Sequence, residues 1–262
     1  MRFGILGPLE VRDEQGNPVA VPAGRPARLL VGLLLRPARP VPTDWLVEML
    51  WNGHAPRSYL ANLQTHVSRL RRLLPDAPIE RRDVERCGDA YQITIDPDCV
   101  DAERFALHST AGRAAGVGDQ AAAHFRAALA LYRGAPLAGA AGPFEPDLVR
   151  LAELHLSSME GLAEADLAAG RYHEVIVRLG PLVRRHPLRE PLWDLLIRAF
   201  AHSGRAAEAV DAYHEVRTVL RDELGLDPGL RLRQTYEWIL RGTQRQAETA
   251  CRCKETGSTV TA

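Results

Sequence analysis

Residues 57–74 read Arg57-Ser-Tyr-Leu-Ala-Asn-Leu-Gln-Thr-His-Val-Ser-Arg-Leu-Arg-Arg-Leu-Leu74. Wound at about 100° per residue, the stretch separates into two faces. Leu60, Leu63, Val67, Leu70 and Leu74 form an aliphatic stripe that must pack on a domain. Opposite lie Ser58, Ala61, Asn62, Thr65, Ser68, Arg69 and Arg72, with Gln64 and Arg71 on one flank and His66 on the other. The segment carries Arg57, Arg69, Arg71 and Arg72 and no acidic residue. Surface helices usually mix signs so that side chains pair along the helix, so a one-sided helix is either merely solvated or made for an anion. Arginine forks match guanine, Asn matches adenine, and hydroxyls or further arginines hold phosphates. That is the chemistry of a helix in the DNA major groove.

The flanks supply the context. Upstream, Phe3–Leu6, Leu9–Arg12 and Val19–Val21 read as three short strands, with Gly7-Pro8 and Gln15-Gly16-Asn17-Pro18 as turns. A helix is expected from about Pro26, with Leu29, Leu30, Leu33 and Leu34 on one face, stopped by Pro37, Pro40 and Pro42. Thr43-Asp44 is expected to cap a second helix holding Trp45, Leu46, Met49 and Leu50. After the 57–74 helix, Ile79–Arg86 and Tyr91–Ile95 read as a hairpin around Gly88-Asp89. A short helix, a basic helix and a hairpin in that order make a winged helix-turn-helix.

From Asp101 to about Arg241 the pattern is helical, with seven candidate helices at 101–115, 120–132, 146–169, 172–185, 190–202, 206–223 and 228–240. Gly170-Arg171-x-x-Glu174 recurs as Gly204-Arg205-x-x-Glu208, a spacing of 34 residues. This is the tetratricopeptide period of two antiparallel helices and a tight turn. The fold class expected is therefore mainly α: a winged helix (α+β) at 1–98, an all-α tetratricopeptide-like domain at 99–242, and a disordered tail at 243–262.

Composition narrows the function classes. The chain has 262 residues, which fits two domains, and 33 Lys+Arg against 33 Asp+Glu. All the basic residues but Lys254 are arginine, which leaves no lysine for a nucleotide-binding loop or a Schiff base within a fold. Apolar runs are too short for a membrane span, and the acidic and basic residues of positions 1–20 leave no signal-peptide core, so a cytoplasmic protein with no membrane partner is expected. Cys87, Cys99, Cys251 and Cys253 have no zinc-ligand spacing, and His173-Glu174 and His214-Glu215 lack a second His four residues after the first, so no metal site, cofactor or catalytic residue is expected. Arg184-Arg185-His186 with Arg189 forms a second basic cluster, read as a solvated corner or as a docking patch.

Leu46-x-x-x-Leu50-Trp51, Pro56-Arg57-Ser58, Asn62-Leu63-Gln64 and Val67-Ser68-Arg69-Leu70-Arg71-Arg72 resemble the winged-helix DNA-binding domain of the response-regulator type. Ala128–Gly134, Pro187–Glu190 with Leu192-Trp193, Gly204–Ala209 and Glu223–Gly229 resemble the bacterial transcriptional activator domain. Together they resemble the Streptomyces antibiotic regulatory protein family over nearly the whole chain. The resemblance implies a homodimer on promoter direct repeats in double-stranded DNA that recruits RNA polymerase holoenzyme to a secondary-metabolite gene cluster. The DNA-contacting residues expected are Arg57, Ser58, Asn62, Gln64, Thr65, His66, Ser68, Arg69, Arg71, Arg72 and, on the hairpin, Arg86. One departure stands out. The family's wing carries Gly-x-Gly-Tyr, whereas here it reads Gly88-Asp89-Ala90-Tyr91, which restricts the turn and places an acid beside the phosphates; Arg81, Arg82 and Arg86 are the compensating cations. The other reading is a helical-repeat regulator whose winged helix docks protein.

Overall fold

A computed structural model describes residues 1–85, 88–138 and 144–241. The chain packs into two compact units, Met1–Ala115 with Ala123–Met159, and Gly116–Ala122 with the residues from Glu160 onward. The expected boundary at residues 98–99 falls inside the first unit.

In that unit β1 (Arg2–Gly4) and β2 (Glu10–Arg12) form an antiparallel pair, with Phe3 opposite Val11. The expected third strand at Val19–Val21 does not form. Val19 N–H reaches Val11 O at 2.8 Å, but Pro18 and Pro22 bracket the segment and Pro supplies no donor to continue a ladder. Helix α1 (Arg25–Leu34) begins on Gly24 with Pro26 in its first turn and buries Leu29, Leu30, Leu33 and Leu34.

Pro42, expected only among the helix stops, forms with Val41 a short strand, β3 (Val41–Pro42). Helix α2 (Thr43–Trp51) follows directly, capped by Pro42 and not by a side chain. Thr43 is buried inside the first turn with its hydroxyl unpartnered, so the expected Thr43 cap is corrected: the strand leading into the helix, and not a capping oxygen, sets its start. Helix α3 (Tyr59–Leu73) precedes β4 (Ile79–Val84) and β5 (Gly88–Ile93), and the sheet order is β3-β5-β4, all antiparallel.

Helices α4 (Asp101–Ala114), α5 (Asp119–Leu129) and α6 (Glu145–Ala168) continue the chain. Phe105, Ala128, Phe144 and Leu151 belong to the same buried cluster as Leu30, Leu46 and Leu63. Asp101 fastens the N-terminal segment to this core: its carboxylate accepts from Ile5 N–H at 2.8 Å and Leu6 N–H at 3.0 Å, and takes Arg133 at 3.2 Å. A buried carboxylate is tolerated there because each oxygen is met by a donor.

The second unit contains α7 (Tyr172–Arg185), α8 (Glu190–His202), α9 (Ala206–Leu224) and α10 (residues 230–241). Both repeated turns close in the same way. Gly170 and Gly204 take φ of 75° and 80°, and the following arginine N–H bonds back to Asp166 O at 2.8 Å or Phe200 O at 2.9 Å. This is a glycine-terminated helix end in which the left-handed residue frees two carbonyls to be satisfied. The 34-residue recurrence is therefore one turn used twice. Fully buried Asp166 holds Arg171 at 2.7 Å and Arg178 at 2.8 Å, while Asp194 holds Arg231 at 2.8 Å and Thr235 at 2.6 Å. The region is thus a helical repeat domain in a mainly α chain with a winged helix at its start.

Candidate nucleic-acid interface

Helix α3 is anchored by Leu63, Val67 and Leu70, all at most 2% exposed, with Leu74 buried just beyond its end. Each such leucine contributes about 1.5–3 kcal/mol by leaving water. Leu60 is a correction. It is 49% exposed and does not join the stripe: in the first turn, Tyr59–Asn62, no residue is fully buried, and it is Tyr59 that packs against the core. No side chain caps that turn and no acid lies in it; Tyr59 N–H is taken by Pro56 O at 2.9 Å and Asn62 N–H by Ser58 O at 3.0 Å, which leaves the N–H groups of Leu60 and Ala61 for an anionic acceptor.

The opposite face is brought together as expected from the periodicity. Arg57, Ser58, Ala61, Asn62, Gln64, Thr65, Ser68, Arg69, Arg71 and Arg72 are exposed, and His66 is half-buried. Several of these side chains are oriented by local bonds. Asn62 donates to Ser58 Oγ at 3.3 Å. Thr65 donates its hydroxyl proton back to Ala61 O at 2.9 Å, so its oxygen presents lone pairs, and its methyl group, outward. Such a group suits an adenine or cytosine amine, or a thymine methyl. Arg72 lies along the helix, 3.4 Å from Ser68 O.

Arg71 differs from its neighbours. Its Nε donates to Ile79 O at 2.6 Å, which ties the end of α3 to the first wing strand. Arg71 therefore positions the wing relative to the helix, with only its remaining guanidinium donors turned outward. Arg25 is a cation that residue spacing did not suggest, because it lies more than thirty positions upstream. It stands over the Trp51 ring at 5.4 Å and, with Arg69, acts on His66. Burial, Arg25 and Arg69 together hold the His66 imidazole below its usual range. The only sequence signal was Arg25 at the start of an amphipathic helix, and nothing local says that this end meets α3.

The wing has a different electrostatic character. Arg81 forms a forked pair with Asp89, and Arg82 pairs with Glu80. Arg81 lies opposite Tyr91 in the ladder, so Asp89 is its diagonal neighbour on the same face, a geometry long side chains readily span. The bond to Asp89 raises the Arg81 guanidinium pKa further. Arg81 and Arg82 are thus occupied within the hairpin. Arg86, together with Cys87, lies outside the described residues. The missing second glycine does no harm to the strand: Ala90 is fully buried, paired with Arg82 and Pro42, and among the described residues of the hairpin only Gly88 takes a left-handed φ, of 64°.

Elsewhere, Arg189 of the second basic cluster is held by Glu160 at 2.6 Å, while Arg184 and Arg185 are exposed. Cys99 is a half-buried free thiol; Cys251, Cys253 and the tail at 243–262 lie outside the described residues. Among the described residues no group of three His, Cys, Asp or Glu side chains could hold a metal, and no helix is long and apolar enough to cross a membrane.

Residues 100–240 match the family model of the bacterial transcriptional activator domain. The transcriptional regulatory protein EmbR of Mycobacterium tuberculosis is 38% identical over 98% of this chain and 67% of its own length. The regulatory protein DnrI of Streptomyces peucetius is 34% identical over 92% of both. The solved structure of M. tuberculosis EmbR in complex with a low-affinity phosphopeptide superposes with a TM-score of 0.84 at 36% identity, over 97% of this chain and 70% of that one. A helical repeat carrying that domain signature, a winged helix at its start, and relatives that are regulatory proteins place this chain in the Streptomyces antibiotic regulatory protein family of transcriptional activators.

Proposed function

We propose that this chain is a sequence-specific activator that binds direct repeats in promoter DNA as a homodimer and recruits RNA polymerase holoenzyme to an antibiotic or other secondary-metabolite gene cluster, in the cytoplasm and without a cofactor. The observation that carries the reading is the outer face of α3, where arginine, amide and hydroxyl side chains are exposed together with no acid among them. In this reading Asn62, Thr65 and Gln64 read base edges, while Arg57, Arg69, Arg72 and the uncapped first turn of α3 meet phosphates. Ser58 and Ser68 are placed to do the same from the edges of that face, and Arg71 and His66 flank it. Division of labour within the chain follows the sequence modules, 1–98 for DNA and 99–242 for subunit and polymerase contacts.

Selecting bound sites from random duplex DNA tests this directly. A recurrent motif repeated in one orientation, with half-sites spaced by whole turns of about 10–10.5 base pairs, is the expected result. Binding without sequence preference at low salt overturns it. The competing reading, a winged helix that docks protein, draws on exposed Leu60 and on the self-neutralised wing. It requires the absence of specific DNA binding together with capture of a protein by α3.

A further inference from the structure

In the first unit, away from α3, a cavity of about 520 Å³ is lined by Arg36, Arg39 and Arg150 and by the carboxylates of Glu103 and Asp147. That volume lies within the range of about 300–1,000 Å³ typical of small-molecule sites. Opposite charges sharing a cavity ordinarily close on one another. Here, among the described residues, none of the five forms an ion pair. Arg36 is stacked over Trp45 at 4.3 Å, and its Nη1 is buried with no acceptor. That nitrogen faces the protein and not the open cavity, so it is the ring stacking that fixes Arg36 at the cavity wall.

The wall of the cavity is also strained. Ala38, between Arg36 and Arg39, takes a left-handed φ of 56°, a region disfavoured for a residue with a Cβ. It is held there from both sides: Ala38 N–H donates to Ile93 O and Gln92 Nε2 donates to Ala38 O, each at 3.1 Å. Strain maintained by surrounding bonds is characteristic of ligand clamps. The two bonds also fasten the cavity wall to β5.

We propose that this cavity is a binding site for a small phosphorylated metabolite with hydroxyl groups. The guanidiniums of Arg39 and Arg150, backed by Arg36, take the phosphate by charge-assisted bonds. Glu103 and Asp147 accept from the hydroxyls; they would repel a bare anion, which selects a ligand carrying both features. The excess of one guanidinium over the two carboxylates matches a ligand of net negative charge.

Calorimetric titration of the full chain with ribose 5-phosphate and AMP, with ribose and inorganic phosphate as the separated halves, tests the site. Ribose 5-phosphate or AMP is expected to bind with a Kd of about 1 mM or tighter, and ribose not at all. The double variant Arg39→Gln/Arg150→Gln, changed at exposed positions and checked by its unaltered melting curve, should weaken binding about tenfold or more. Glu103→Gln/Asp147→Asn should remove most of the preference for ribose 5-phosphate over inorganic phosphate, and Arg69→Ala/Arg72→Ala on α3 should change nothing. Two results overturn the proposal: no binding by either phosphorylated probe, or binding kept in the cavity variant and lost in the α3 variant, which would put the phosphate on the DNA face.

Discussion

Helix α3 and the β4–β5 wing stand side by side, joined by the bond from Arg71 to Ile79, yet they handle charge in opposite ways. The helix segment carries four arginines and no acid, whereas residues 79–93 carry three arginines and four acids. On the helix the exposed arginines have no carboxylate to turn to; on the wing Arg81 and Arg82 have already found Asp89 and Glu80. The same residue type is therefore available for phosphate in one element and consumed in the other. A chain with a formal net charge of +0 lacks a long-range basic field, so its grip on a polyanion rests on where the acids are absent.

The sharpest way to break this contrast is to remove the anchor of the helix. Leu70→Ala should cost about 2–5 kcal/mol in denaturant unfolding, since Leu70 is fully buried. Leu60→Ala, on the same helix but half-exposed, should stay within about 0.5 kcal/mol; equal losses would return Leu60 to the core. Next in size, Asn62→Ala should shift preference at one base position by about 1–3 kcal/mol, read from competition among point-mutated sites. A uniform loss across those sites would count against base readout by Asn62.

Arg69→Ala and Arg72→Ala should each weaken all sites alike and lower the slope of log affinity against log salt by about 1. Arg81→Ala, by contrast, should barely move that slope, and Asp89→Asn should raise it slightly by releasing Arg81 toward phosphate. A wing slope as steep as that of the helix would abolish the distinction.

The smallest effect concerns acidity. With its pKa held below the ordinary histidine value, His66 is neutral near pH 7, and protonation on the acid side adds a cation beside Arg25 and Arg69. DNA binding should tighten as pH falls below 6.5 and His66→Gln should lose that rise; an identical profile in the variant assigns the titration elsewhere. The sign for folding is reversed. Because the unfolded chain protonates first, His66 lowers stability as pH falls through its ordinary value toward the depressed one.

Periodicity and turn chemistry are local, and what depends on them was legible in the sequence: the buried face Leu63-Val67-Leu70, the polar face of α3, the 34-residue turn, and the glycines that must adopt left-handed backbone. The residues Asn62, Thr65, Arg69 and Arg72 share a face because an α-helix has one period, whatever surrounds it. Four features were not local. Leu60 fits the stripe by angle, but tertiary packing gives the place against the core in that turn to Tyr59 and leaves Leu60 exposed. Val41–Pro42 becomes a strand because β5 offers its edge, against the prolines that read as a stop. Arg71 and Arg25 acquire their roles from partners, Ile79 and the Trp51–His66 corner, that the chain brings near only by folding. The sequence alone determined which residues were charged and on which face of their own element; tertiary structure decided which of those charges remained free, because pairing depends on distances that the local period does not contain.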